Sequence, residues 1–346
     1  MRVIKKTIVQ TTENFNEISK FETISNFHND VEKGLSSIFL MSQNFPANSI
    51  SEFLSGENFS MTECYEEAEA SYHLIKYGFY KQAMISLRTS LEIGLLSIYW
   101  SILGKESAEF KYWLSSKFDT PYKNKKFWET IKSNENISLF DENFGVIEEI
   151  KQFGLSDFVH TKGIKYSNFG QLQRTLKGKD KFENYKEWLN NFRNIVRIIE
   201  VLHLLKFPTL NIRFSTDYLL SKFGTYDNIP QFGGGLGDEM ENLSSFIPKE
   251  QLTFLEELAA ADEEVVKIKS EIAQMPELTA KEIEDLIILE QKTNIESSGF
   301  DNWYSSYLMY DGRITSDMVQ ILKDWALSNN VMTIENIMEN YGKTLR

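Results

Sequence analysis

Between Ser60 and Leu103, apolar residues recur at intervals of three and four, interrupted at Gly78. Ala68, Tyr72 and Ile75 mark one stripe; Ala83, Met84, Leu87, Leu91, Leu95, Ile98 and Ile102 mark a second. A period near 3.6 gathers such residues on one helix face, whereas the two-residue period of a strand scatters them. Ser60-Met-Thr-Glu63 has the spacing of a capping box opening the first stripe. Gly78 and Gly104 stand where helices end. The link at Gly78 is short, so the two helices are predicted to pack as an antiparallel hairpin.

Most of the chain follows the same pattern. Only 6 prolines and 18 glycines occur in 346 residues, and long helices tolerate neither well. The 25 Phe, 15 Tyr and 6 Trp are ample for a packed core. Further helices are predicted over 25–43, 107–116, 122–133, 141–153 and 182–206. In the last, Trp188, Phe192, Ile195, Ile199, Leu202 and Leu205 face inward and Pro208 is the stop. Short strands are predicted over 2–10 and Asn211–Phe214, and loop or turn segments over 44–60 and 224–237. After Pro248 a single amphipathic helix of about 25 residues is predicted, seamed by Leu252, Leu255, Leu258, Val265, Ile268, Ile272 and Met275 and broken at Pro276. Thr279-Ala-Lys-Glu282 is a second capping box, and two more helices are predicted over 316–328 and 333–341. The expected fold class is mainly α: a helical bundle over residues 1–208, then an acidic, mainly helical region over 209–346.

Charge divides at the same place. Residues 209–346 hold 24 acidic and 11 basic side chains, against 50 and 37 in the whole chain, so the net charge of −13 resides there and the first 208 residues are neutral. Such an acidic region repels phosphate backbones, and nucleic acid is expected only on the first part. The lone cysteine, Cys64, makes no internal disulfide. No apolar stretch follows the basic start Met1–Lys6, which predicts no secretory leader. The longest near-apolar run, Ile93–Leu103, falls short of the roughly 20 residues that cross a bilayer. These features predict a cytoplasmic protein without a membrane partner.

Candidate chemistry is sparse. His28, His73, His160 and His203 are widely separated and lack zinc-ligand spacing, so neither metal nor cofactor is expected. Gly233–Gly237 lacks the Lys-Ser/Thr of a phosphate loop and is followed by Asp238, Glu239 and Glu241, which favours a hinge or surface loop. No Gly-x-Ser-x-Gly occurs, and Cys64 falls inside the hairpin as a buried structural thiol. The segment Leu155–Gly163 is more informative. His160 has Asp157, Ser156 and Thr161 near it in sequence, a set able to orient and tune a general acid/base. Lys162, Lys165, Arg174, Lys177, Lys179 and Lys181 follow and could form an anion or RNA surface over 160–181. The plainer alternative is a histidine capping a helix end beside a solvated lysine loop.

The run from Ala70, with LIKYGFYKQAMISLRTSLEIGLL at its centre, resembles the first helical hairpin of HEPN-like proteins, with Arg88 four residues before Glu92. The segment LSDFVHTKG resembles the histidine-bearing stretch of bacterial relatives, and the likeness covers about residues 60–207. It implies a helical bundle from a bacterial toxin or phage-defence setting. Such relatives act as metal-independent ribonucleases or as inactive interaction modules. Active members commonly dimerise and place Arg-x4–6-His motifs in a shared cleft. Here the motif is broken at His160, because Phe153, Gly154 and Leu155 stand where its arginine belongs. Arg197 precedes His203 at the required spacing, but residues six apart on a helix point about 120° away from each other.

The expected function is therefore a HEPN-like interaction or regulatory module without catalysis, with protein partners that include a second copy. One alternative is a metal-independent ribonuclease, with His160 or His203 as general acid/base and Arg197 or Arg88 on the phosphate. Another is a sensor whose acidic tail gates the basic surface.

Overall fold

The computed structural model describes residues 26–43, 59–104, 106–117, 124–168, 170–171, 174, 182–212, 214–225, 228–229, 245–307 and 312–331. Helices dominate, and no strand occurs among the described residues. The strand expected over 2–10, most of the 44–60 loop, the Gly233–Gly237 turn and the helix at 333–341 lie outside them. The chain divides into two compact units, one of residues 1–213 and 231–269, the other of 214–230 and 270–346.

The first unit is built around the expected hairpin. Helix α1 (Phe27–Gln43) precedes α2 (Phe59–Lys76) and α3 (Tyr80–Leu103). Gly78, at φ 76°, ends α2 as its N–H donates to the Ile75 carbonyl and the Phe79 N–H to that of Leu74. Those two bonds satisfy carbonyls that the last helical turn leaves open. One detail differs from expectation: Ser60 lies within the first turn of α2, buried, rather than capping it. Gly94 on α3 is a packing residue. A Cβ there would lie 2.9 Å from Ile199 and 3.2 Å from Cys64 Sγ, so only glycine admits the close approach of neighbouring helices.

Short helices α4 (Ala108–Leu114), α5 (Lys125–Lys132), α6 (Glu135–Phe144), α7 (Val146–Gln152) and α8 (Ser156–Val159) follow. The helix expected over 141–153 is thus two. The break is made by Asp141, whose carbonyl accepts the Gly145 N–H and whose carboxylate accepts the Ile147 N–H, with Gly145 at φ 66°. Helix α9 (Glu183–Lys206) runs through the core, burying Tyr185, Trp188, Phe192, Ile195, Ile199, Leu202 and Leu205. Each such side chain contributes about 1.5–3 kcal/mol relative to exposure. The Trp188 indole N–H donates to Ser71 Oγ at 2.8 Å, and its ring stacks on Phe192 at 5.2 Å, fixing α9 against α2.

Residues 208–211 form a 3₁₀ turn, and no strand follows among the described residues. Helix α10 (Thr216–Phe223) belongs to the second unit. The long helix expected after Pro248 is α11 (Lys249–Ala261) and α12 (Glu263–Gln274). Asp262 separates them because its carboxylate accepts the N–H groups of Glu264 and Val265, starting a new helix. Helix α11 packs in the first unit, with Phe254 edge-on to Phe140 at 5.8 Å and Leu255 buried. The border drawn after Pro208 therefore misses an aromatic contact that only the folded chain brings together.

In the second unit, α13 (Ala280–Ser298) opens with the expected Thr279/Glu282 capping box; the backbone and side-chain bonds from Thr279 hold the Glu282 carboxyl below the usual carboxylate range. Helices α14 (Phe300–Tyr307) and α15 (Ser316–Ser328) close a small core of Ile295, Phe300, Trp303, Leu322 and Ala326. Helix α10 is pinned within this unit by Leu278 N–H on the Ser221 carbonyl and by Lys222 Nζ on the Met275 carbonyl, each 2.8 Å. No described helix is long and apolar enough to cross a membrane.

Candidate functional site

The histidine-bearing segment is shaped by its backbone. Helix α8 ends at His160, and the Thr161 N–H then donates to the Phe158 carbonyl while that of Lys162 donates to Asp157. This is the glycine-type helix stop seen at Gly78, yet its left-handed position holds Thr161, at φ 45°. A non-glycine residue there costs about 1–2 kcal/mol. The Thr161 hydroxyl accepts a 2.6 Å bond from Lys81 Nζ on α3, 80 residues away in sequence. Phe158 is buried and meets Tyr166 edge-on at 5.1 Å, anchoring the loop from below. Val159 through Lys165 are all exposed.

Lys81 thereby joins two turns at one end of the bundle. The α2–α3 turn presents Tyr77 and Phe79, each 50% exposed, and the loop presents Val159 (39%) and Ile164 (63%). The same two segments carry Lys81, His160, Lys162 and Lys165. Asp157 lies 3.3 Å from Lys162 Nζ, and Lys165 Nζ lies 5.1 Å from the Tyr166 ring centre. Sequence reasoning found His160, Asp157, Lys162 and Lys165. It missed Tyr77, Phe79 and Lys81 as neighbours, although YGFYK marked the turn that carries them.

The other candidates go elsewhere. His203 is 1% exposed, with Nδ1 2.8 Å from the Ile199 carbonyl and Nε2 3.4 Å from Ser97 Oγ. Burial pushes its pKa down to about 4, partly offset by the Ile199 bond, so the ring is neutral at physiological pH. Arg197, on the same helix, forms an ion pair with Glu149 of α7 and donates to Gln251 of α11 at 3.2 Å. The fold therefore does not bring Arg197 and His203 together as a pair facing substrate. Arg88 is held by Glu92 of its own helix at 2.6 Å. Arg174 donates to Glu183 and Glu187, 2.5 Å each, which neutralises it as an anion contact. Lys177, Lys179 and Lys181 lie outside the described residues.

Compared with family models, curated proteins and solved structures, the chain matches none.

Proposed function

We propose that this protein is a non-catalytic interaction module, HEPN-like in kind and part of a bacterial defence or toxin-type system. Its working surface is the bundle end made by the 77–81 turn and the 159–165 loop. The observation that carries this reading is that the candidate arginines are held by carboxylates while the histidine at the motif spacing is buried. Arg197 is tied to Glu149, His203 is sealed in the core, and Arg88 is tied to Glu92. A phosphoryl-transfer site needs preorganised positive charge aimed at the phosphate beside its acid/base. His160 stands without an arginine at the motif spacing.

A ribonuclease reading keeps one point in its favour: His160 is exposed and shares its loop with Lys162. The deciding experiment is incubation of the purified protein with mixed tRNA and single-stranded RNA in EDTA. The interaction-module reading expects intact RNA. Cleavage that disappears in a folded His160→Ala variant would replace it with the ribonuclease reading.

A further inference from the structure

The bundle end that carries His160 combines two features seldom exposed together. Four apolar side chains, Tyr77, Phe79, Val159 and Ile164, project from two adjoining turns. Lys81, Lys162 and Lys165 are carried by the same two segments, and Asp157 is engaged by Lys162. Large apolar side chains clustered at a surface and edged by polar groups mark an interaction site.

We infer that this surface docks an acidic, amphipathic segment of a partner protein; the inference rests on the interaction-module reading and names its partner class. Charge complementarity selects an acidic partner, because among the described residues Lys81 donates to a neutral hydroxyl and Lys165 faces a ring. The apolar side chains select against single-stranded RNA. Bases stack on flat rings, and two of the four projecting groups, Val159 and Ile164, are aliphatic. An amphipathic helix with apolar residues on one face and carboxylates beside them meets both demands. Lys81 acts as a positioning residue as well, since its bond to Thr161 holds the two turns in one surface.

The test is fluorescence anisotropy with the full chain and a labelled helical peptide of leucine and glutamate, alongside a matched leucine–lysine peptide and an oligouridylate. The Leu–Glu peptide is expected to bind saturably and to weaken with salt. Lys162→Glu with Lys165→Glu, and separately Phe79→Ser with Ile164→Ser, should each weaken it about tenfold. All four side chains are exposed, so circular dichroism should be unchanged. No binding of the Leu–Glu peptide, equal binding of the Leu–Lys peptide, or indifference to both variant pairs overturns the inference. Tighter binding of uncleaved oligouridylate at the same residues also overturns it while leaving a non-catalytic module; cleavage of the oligouridylate sinks the module itself.

Discussion

The Arg197 guanidinium on α9 is ion-paired with the Glu149 carboxylate on α7. The same guanidinium reaches Gln251 on α11, so one buried side chain ties three helices of the first unit. A residue placed this way holds the bundle together. Arg197→Met keeps much of the packing and removes the charge and its bonds. It should destabilise the protein by about 1–3 kcal/mol in urea denaturation, with Glu149 left partly hydrated. Binding at the 159–165 loop should be unchanged in the folded fraction.

His203 makes stability depend on acid. Its folded pKa, about 4, lies below the 6.5 of a free imidazole, so the unfolded chain takes up the proton first. Stability is therefore complete above about pH 6.5 and falls as pH drops toward 4. Between pH 7 and pH 5 the loss from this one group is about 2 kcal/mol. In His203→Leu the urea midpoint should change less between those two pH values, even though the variant starts less stable at pH 7. An unchanged pH dependence would show that the ring is not held neutral by burial.

Thr161 sits where a helix stop favours glycine. Thr161→Gly relieves the backbone by about 1 kcal/mol and removes the acceptor for Lys81. Thermal unfolding should show a stability equal to or above that of the parent. Amide hydrogen exchange of residues 159–165 should become faster, because the loop loses its tie to α3. Faster exchange without lost stability separates a positioning role from a structural one.

Local chemistry was readable in the sequence, and long-range pairing was not. The α2–α3 hairpin, the inward face of α9 and the Thr279 cap all follow from residues within a few positions of one another. The breaks at Gly145 and Asp262 depend on whether an aspartate caps its neighbours or stays in the helix, and periodicity runs straight through both. Charge alone groups helix α11 with the acidic region, but Phe254 finds Phe140 more than a hundred residues earlier. The same limit governs the candidate site. His160 is visible from its own segment, whereas Lys81 joins that segment through Thr161, 80 residues distant. The Arg197–His203 spacing satisfied a motif while Glu149 and Ser97, both remote in sequence, determined what those side chains do.

Deuterium exchange at the imidazole Cε1 position, followed by mass spectrometry across pH, most directly tests whether the chain lacks an Arg–His cleaving pair. His203 should exchange far more slowly than His160 and titrate near 4. Exchange of His203 at the rate of His160, with a titration near 6.5, would place it in contact with solvent and contradict its assignment to the core.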